Sequence, residues 1–142
     1  MTSQIHIQVA TAVVEKDGTV LALKRSNGNK HFQGYWQLPE GKIETAEPPE
    51  TAVLRELQEE LNWLASTCRY LGTCMAEATV DGKLVSVTRT IFVVSPQSTV
   101  KLGPEHTSFR WLDPRKHFGS MALYPGTAEV IDLYLHNVGN FL

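Results

Sequence analysis

Residues 41–63 read GKIETAEPPETAVLRELQEELNW, and this stretch decides the fold that we expect. Val53, Leu57 and Leu61 recur four residues apart, which predicts an amphipathic helix that packs an apolar stripe on a sheet. The two prolines at 48–49 suit the first turn of that helix, because the first backbone N–H groups have no partner inside a helix. The sequence therefore predicts a helix that begins at these prolines.

Three carboxylates lie on one side of the predicted helix. Glu56, Glu59 and Glu60 are three and four residues apart, a spacing that gathers them into one cluster. Like charges so close repel one another, so an exposed cluster of this kind is either loosely solvated or neutralised by a cation. Because hard carboxylate oxygens suit Mg²⁺ or Mn²⁺, this cluster is our first candidate for a metal site.

The whole chain has the composition of a globular domain. Its 142 residues are 42% hydrophobic and 20% charged, which fits one domain with its own core. A net charge of -2 argues against polymeric DNA or RNA as a partner, because surfaces that bind nucleic acid are basic. We expect no membrane segment, since no apolar run approaches the length of about 20 residues that a membrane helix needs. The N-terminus also lacks the pattern of a secretory signal.

Two cysteines bear on the cellular compartment. Cys68 and Cys74 are too few for a disulfide framework, and they do not form a CxxC metal pair. We interpret both as reduced thiols in or near a strand, which together with the missing signal favours the cytoplasm.

Apolar stretches and turn residues predict the remaining elements. Asp17-Gly18 and Asp81-Gly82-Lys83 are hairpin turn signals between apolar segments. We predict strands at 5–14, 20–23, 35–38, 68–79, 84–94 and 108–112, and a second helix at 127–136. This order mixes strands and helices without a regular alternation, which indicates an α+β fold with a mixed sheet flanked by helices.

The stretch that opens this section resembles the Nudix box. That family pattern is glycine, five residues, glutamate, seven residues, Arg-Glu, an apolar residue, any residue, Glu-Glu, any residue, glycine and an apolar residue. The matching positions are Gly41, Glu47, Arg55, Glu56, Leu57, Glu59, Glu60 and Trp63. Asn62 stands where the family has glycine, and because asparagine tolerates left-handed backbone, we expect the turn to survive.

The resemblance implies a fold and a chemistry. Nudix proteins form an α/β/α sandwich with a mixed β-sheet, and we expect residues 1–142 to be a single Nudix hydrolase domain. Members typically hydrolyse a nucleoside diphosphate linked to another group, with Mg²⁺ or Mn²⁺ as cofactor. By this resemblance the metal ligands are the main-chain carbonyl of Glu40 and the carboxylates of Glu56, Glu59 and Glu60. Arg55 would hold the carboxylates in place with Glu47 as its partner. Glu40 stands where many relatives have glycine, and because a carbonyl ligand does not depend on the side chain, we expect little loss of metal binding.

Two polar residues outside the box are further candidates, and a third is discounted. Glu105 corresponds to a loop glutamate that MutT-type relatives use as a metal ligand or general base, and the alternative is a solvated carboxylate. Arg25 matches a family position that reaches the substrate phosphates, and the alternative is a surface charge at a strand end. We interpret His106 as a polar surface residue rather than a proton shuttle.

Aromatic residues and one threonine are candidates for binding the nucleoside. Phe32 and Tyr35 precede the box, where relatives place base-contacting side chains. Thr127 leads into the last helix, where MutT-type relatives place a polar residue that reads the base. Trp36 and Tyr124 are stacking candidates too, although aromatic residues at such positions are at least as often part of the core.

The segment after the box narrows the substrate by resemblance. Family signatures for ADP-ribose and diadenosine polyphosphates are a proline and a tyrosine downstream of the box, but residues 64–81 contain no proline and Tyr70 falls too early. We therefore expect a MutT-like hydrolase of a small-molecule nucleotide, a nucleoside or deoxynucleoside triphosphate, acting as a monomer or homodimer. A role in clearing damaged nucleotides is left open. So are another nucleoside-diphosphate-linked substrate, such as ADP-ribose or a dinucleoside polyphosphate, and a non-catalytic nucleotide-binding module.

Overall fold

Seven strands and two α-helices follow one another in the computed structural model, which describes residues 4–65 and 67–139. In chain order they are β1 (Gln4–Lys16), β2 (Thr19–Arg25), β3 (Trp36–Gln37), β4 (Glu40–Lys42), α1 (Pro49–Leu61), β5 (Arg69–Val80), β6 (Lys83–Val94), β7 (His106–Leu112) and α2 (Thr127–Gly139), with a short 3₁₀ helix (Phe118–Ser120) before α2. Neither helix of this described part is both long and apolar enough to cross a membrane.

Strand β1 is the centre of a mixed sheet. It runs parallel to β6, from the pair Gln4–Leu84 to the pair Val14–Val94, and its C-terminal end pairs antiparallel with β2. The strand order is β3-β2-β1-β6-β5, with β4 added to β1 and β7 added to β2. The predicted α+β fold with a mixed sheet is therefore confirmed.

Both faces of the central strands are buried because successive side chains of a strand point to opposite faces. Ala12 of β1 and Phe92 of β6 belong to the core under α1, whereas their neighbours Val13 and Ile91 belong to the core under α2. One helix on each face of the sheet gives the α/β/α sandwich. This double burial also explains why the fully buried part of each strand, residues 9–14 of β1 and 91–94 of β6, is almost entirely apolar.

Helix α1 begins and ends as its sequence predicts. Pro48 is the extended residue before the helix, and Pro49 is its first residue. At the other end Asn62 adopts the left-handed conformation with φ of 59°. Its side-chain Nδ2 donates to the carbonyl of Lys101 at 2.7 Å, which joins the end of the helix to the loop before β7. Asparagine therefore replaces the family's glycine and adds a tertiary contact.

Both predicted hairpin turns are confirmed. Asp17 and Gly18 have φ of 51° and 78° between β1 and β2, and Asp81 and Gly82 have φ of 52° and 74° between β5 and β6. Positive φ at both central residues is the conformation whose twist matches two antiparallel strands.

Some predicted boundaries were wrong. Strand β4 was not predicted, because the tripeptide Glu-Gly-Lys has no strand pattern of its own and is extended only through pairing with β1. The predicted strand at 35–38 is reduced to two residues, since Pro39 follows and removes a backbone donor. Strand β7 begins at His106 rather than residue 108, and α2 continues to Gly139 rather than residue 136.

Two substitutions test the role of Asn62. Asn62→Val puts a β-branched residue in left-handed backbone and removes the bond to Lys101, so we expect the free energy of unfolding to fall by about 2–3 kcal/mol. Asn62→Gly keeps the conformation and loses mainly the hydrogen bond, about 1 kcal/mol. Urea denaturation of both variants measures the difference. Equal losses in the two variants would show that left-handed backbone at this position is not the constraint.

Candidate active site

Strand β4, in which the box begins, lies directly against Glu56 of α1. Strand β4 pairs with β1, with Gly41 opposite Ala10. A Cβ atom on Gly41 would lie 2.0 Å from the carboxyl carbon of Glu56. Only glycine therefore leaves room for the Glu56 carboxylate beside β4, which is the physical reason for the first residue of the box.

Arg55 joins the carboxylates of the box into one network. Its Nε and Nη2 donate to the two carboxylate oxygens of Glu47, each at 2.9 Å. Its Nη1 donates to Glu56 at 2.7 Å and to Glu59 at 3.3 Å, and Nη2 also donates to the carbonyl of Lys42 at 3.0 Å. The hydrogen bonds from Arg55 lower the pKa of Glu47 to about 2. Glu47 is thus the residue that holds Arg55 in position.

The glutamate cluster is mostly buried, and the expectation of an exposed cluster was wrong for two of its members. Glu56 and Glu60 are 9% and 4% exposed, because they lie next to the apolar stripe of α1, whereas Glu59 faces solvent. Burial, opposed by Arg55 and reinforced by the charges of Glu59 and Glu105, raises the pKa of Glu56 to about 7. Burial and the charge of Glu56 also raise the pKa of Glu60 well above its usual value.

The loop before β7 docks on the C-terminal end of α1 and brings Glu105 to the cluster. The N–H of Gly103 donates to the carbonyl of Glu60 at 3.1 Å, and a Cβ on Gly103 would lie only 2.8 Å from the carbonyl oxygen of Glu59. The loop therefore satisfies a backbone group at the end of the helix. A cavity of about 220 Å³ is lined by Glu56, Glu59, Glu60, Gly103, Pro104, Glu105 and His106.

His106 is buried, so its interpretation as a surface residue was wrong. Strand β7 begins at this residue, which pairs with Arg25 of β2, and only 5% of His106 is exposed. Neither ring nitrogen has a hydrogen-bond partner among residues 4–65 and 67–139. Burial, together with the charge of Arg25, lowers the pKa of His106 to about 4, so the ring is neutral at pH 7.

A cleft of about 330 Å³ continues from the carboxylates across the sheet, with Arg25 in its wall. Nη1 of Arg25 donates to Oε1 of Gln37 at 2.6 Å, and Nη2 donates to Oδ1 of Asn29 at 3.3 Å and to the carbonyl of His31 at 3.1 Å. The guanidinium also lies over the ring of Tyr124, 4.6 Å from its centroid. Arg25 is therefore a fixed cation beside the cleft rather than a free strand-end charge.

Beyond Arg25 the cleft opens into an apolar cavity of about 360 Å³. Its floor is formed by residues of β1, β5 and β6, namely Ile7, Ala78, Val80, Val85 and Val87. Phe32 and Tyr124 form one wall, with their rings edge-to-face at 5.3 Å. Phe32 has a φ of 57°, a conformation that large residues rarely adopt and that is often found at ligand sites.

The other predicted nucleoside-binding residues lie at different depths. Tyr35 packs edge-to-face on Phe32 at 5.4 Å and is partly exposed, but it lines neither cavity. Thr127 is buried at the start of α2, and its Oγ1 has no hydrogen-bond partner in the described part of the chain. Trp36 stacks under the guanidinium of Arg110 at 5.4 Å on another surface. The structure thus brings Phe32 and Tyr124 into the cleft and leaves Tyr35, Thr127 and Trp36 outside its lining.

A buried ion pair in the cleft was not predicted. Nε and Nη2 of Arg89 donate to the two carboxylate oxygens of Glu40, each at 3.0 Å, and the hydroxyl of Thr11 donates to the same carboxylate at 3.1 Å. Although burial opposes the charge, Glu40 raises the pKa of Arg89 above its ordinary value. The Glu40 carboxylate, to which the sequence assigned no role, therefore pairs with Arg89 inside the cleft. The one available signal was a charged residue inside the apolar run of β6.

The donor set at the carboxylate end fits Mg²⁺ or Mn²⁺. Hard oxygens meet there, and buried Oε2 of Glu60 has no hydrogen-bond partner among the described residues. The raised pKa of Glu56 and Glu60 shows that Arg55 alone does not compensate their charge. Within residues 4–65 and 67–139, no three acidic, His or Cys side chains are already arranged around one point. Arg55 instead holds Glu56 and Glu59.

Comparison with known proteins identifies the family. The family model of the NUDIX domain matches residues 4–134, so the chain belongs to this family. A crystal structure of a MutT protein from Methanosarcina mazei superposes with a TM-score of 0.78 at 25% identity, covering 96% of this chain and 95% of that one.

Two relatives carry names that describe an activity. The chain is 39% identical over 70 residues to an 8-oxo-dGTP diphosphatase of Proteus vulgaris, a match that covers 49% of this chain and 61% of the relative. It is 29% identical over 110 residues to a CTP pyrophosphohydrolase of Escherichia coli (strain K12), which covers 78% of each.

Removing one member of the buried ion pair should destabilise the protein. Glu40→Ala leaves the Arg89 guanidinium buried without its partner, and we expect the free energy of unfolding to fall by about 3–5 kcal/mol. The double variant Glu40→Leu with Arg89→Met removes both charges and should lose less. Urea denaturation measures both. A single variant within about 1 kcal/mol of wild type would contradict a desolvated ion pair at this site.

Proposed function

We propose that this protein is a Nudix pyrophosphohydrolase that uses Mg²⁺ or Mn²⁺ to convert a nucleoside or deoxynucleoside triphosphate into the monophosphate and pyrophosphate. One observation carries the proposal: carboxylates line one end of the cleft, and the adjoining cavity is lined mostly by aliphatic and aromatic side chains, with Lys30, His31 and Lys42 also in its lining. A nucleotide has the same two-part character, because its phosphates are neutralised by a cation and its base makes apolar contacts.

The proposed metal-binding groups lie at the carboxylate end. They are the main-chain carbonyl of Glu40 and the carboxylates of Glu56, Glu59, Glu60 and Glu105. A bound divalent cation supplies charge neutralisation for the phosphates and lowers the pKa of a water molecule. Arg55 contributes by fixing Glu56 and Glu59 through its Nη1. Since phosphoryl transfer depends mostly on positioning and electrostatics, holding these groups is the main catalytic work of the chain.

Glu105 is the proposed proton acceptor for the attacking water. It lines both the carboxylate cavity and the main cleft, so it can reach water beside a bound phosphate. His106 is a weaker candidate for this step, because only 5% of the residue is exposed.

The remaining predicted residues have proposed roles in substrate binding. Arg25 binds a phosphate oxygen, supported by its fixed guanidinium in the cleft wall. Phe32 contacts the base within the apolar cavity, and Tyr35 supports Phe32 from behind. Thr127 is the exception: it was predicted to read the base, but it is buried and lines neither the cleft nor the apolar cavity, so it is left out of the proposed binding residues.

The proposed substrate class is supported by the names of relatives. The names of the two relatives, an 8-oxo-dGTP diphosphatase and a CTP pyrophosphohydrolase, support a triphosphate substrate and include a damaged nucleotide. A non-catalytic binding module is disfavoured, because every carboxylate of the box is present and gathered around Arg55. ADP-ribose and dinucleoside polyphosphates are the alternative substrates.

Residues 1–142 are proposed to form a single Nudix hydrolase domain. The family match over residues 4–134 supports this. Cys68 and Cys74 are both free thiols, which supports a reducing compartment such as the cytoplasm. A monomer or a homodimer acting on free nucleotides fits the proposal.

A panel of nucleotides tests the reaction. The panel contains the four nucleoside triphosphates, 8-oxo-dGTP, ADP-ribose and diadenosine tetraphosphate, each with Mg²⁺ and with Mn²⁺, scored separately for pyrophosphate and orthophosphate. We expect a triphosphate to yield pyrophosphate with a kcat/KM at least about tenfold above both alternatives. Release of orthophosphate alone, or cleavage of ADP-ribose alone, would refute the proposed reaction.

The acidic helix is tested by Glu59→Gln with Glu50→Gln as its control. Both residues are exposed on α1, but only Glu59 lies in the carboxylate cavity. Because loss of a group that merely supports a metal ligand lowers activity about 10–100-fold, we expect Glu59→Gln to lower kcat by at least about 100-fold. Glu50→Gln should match wild type, and the melting temperature of both should be unchanged. Full turnover by Glu59→Gln would exclude it as a ligand.

A further inference from the structure

Arg89 is a buried cation between the two halves of the cleft, and it lies outside the box. Only 1% of Arg89 is exposed, yet the residue lines the main cleft. Nε and Nη2 donate hydrogen bonds to the carboxylate of Glu40, and Nη2 also donates to the carbonyl of Pro125 at 2.8 Å. One planar guanidinium therefore joins β6 to two segments. The segment of Glu40 leads into the carboxylate end of the cleft, and the segment of Pro125 belongs to the loop that carries the aromatic wall.

Tyr124 of that wall lies close to two arginines. The guanidinium carbons of Arg25 and Arg89 lie 4.6 Å and 6.0 Å from the centroid of its ring. Tyr124 lines both the main cleft and the apolar cavity, so its position sets the width of the nucleoside half. Contacts of this kind contribute more when they are desolvated, as they are around Arg89.

The backbone next to Tyr124 is shaped around Arg89. Gly126 has a φ of 94°, and a Cβ atom there would lie 2.0 Å from Nη1 of Arg89. A larger residue would have to push the guanidinium aside. The close approach of Gly126 and the bond to Pro125 together set the distance between this loop and β6.

We propose that Arg89 is a positioning residue that fixes the loop carrying Tyr124 against Glu40, and thereby sets the spacing between the nucleoside half and the carboxylate half of the cleft. This inference rests on the proposed function for the identity of the ligand, a nucleotide. A lysine cannot replace this arginine, because a single ammonium group cannot pair side-on with Glu40 and reach Pro125 at the same time.

The loop has a second anchor, so loss of Arg89 should misplace it rather than unfold it. The N–H of Tyr124 donates to the carbonyl of Trp36 at 2.8 Å, and the N–H of Trp36 donates to the carbonyl of Ala122 at the same distance. These bonds fix the chain just before Tyr124. Arg89 acts on the part that follows, which faces the cleft.

The experiment compares Arg89→Lys with Arg110→Lys. Arg110 also stacks on an aromatic ring, that of Trp36, but it lines neither the cleft nor the apolar cavity. Each protein is titrated with the four nucleoside monophosphates without divalent cation, and KM and kcat are measured for the preferred triphosphate. Inhibition by inorganic triphosphate, which has no base, reports on the carboxylate half alone.

We expect Arg89→Lys to weaken binding of the best monophosphate, and to raise KM, by about tenfold, because small errors in placement have large effects at such sites. The KM should rise more than kcat falls, and inhibition by inorganic triphosphate should match wild type. Arg110→Lys should behave as wild type throughout. If Arg89→Lys does not fold, Gly126→Ala disturbs the same contact, because alanine is strained at a φ of 94° and its Cβ would meet the guanidinium; KM should again rise more than kcat falls.

The possible results separate the two proposals. The role of Arg89 alone is overturned if the wild type cleaves triphosphates and Arg89→Lys leaves both KM and monophosphate affinity unchanged. Equal losses for nucleotides and inorganic triphosphate also overturn it, because that is the result of a general structural defect. A wild type that cleaves nothing but binds monophosphates in an Arg89-dependent way refutes the hydrolase and retains the inference. Absence of both cleavage and binding refutes both.

Discussion

The site depends on holding several carboxylates close together against their mutual repulsion. Arg55 does most of this, since one guanidinium binds Glu47, Glu56 and Glu59 and also reaches the carbonyl of Lys42. Burial outweighs this compensation at Glu56, and the pKa of Glu56 is accordingly raised to about 7. A site with uncompensated, partly buried oxygen donors has a strong electrostatic preference for a cation. The fold therefore keeps an unfavourable charge arrangement in place through tertiary contacts.

Two glycines allow the close contacts that this arrangement needs. Gly41 lets the Glu56 carboxylate lie against β4, and Gly103 lets the loop before β7 approach the carbonyl of Glu59. The same loop occupies carbonyls that the end of α1 leaves without intrahelical partners, and so it carries Glu105 to the cluster. The acidic end of the cleft is thus built by three segments that meet only in the folded chain.

Cations occupy the middle of the cleft even though the chain as a whole is acidic. Arg25 and Arg89 both lie close to the ring of Tyr124, and each is fixed by hydrogen bonds to acceptors of the protein. Such an arrangement places positive charge between a carboxylate end and an apolar end. An anionic ligand with an aromatic group matches this order of acidic, basic and apolar surroundings. Donors that are already fixed bind such a ligand without the loss of side-chain freedom that flexible lysines would incur.

The sequence by itself determined the mixed α+β fold, both hairpin turns, helix α1 with its left-handed end at Asn62, and the membership of Glu56, Glu59 and Glu60 in one cluster. These features follow from local spacing, turn chemistry and a long family pattern, all of which are readable within a few turns of chain. Only the tertiary structure decided the parallel pairing of β1 with β6, the burial of Glu60 and His106, and the ion pair of Glu40 with Arg89. Those features join residues tens of positions apart, and no local pattern encodes which distant partner will remove a side chain from water or neutralise its charge.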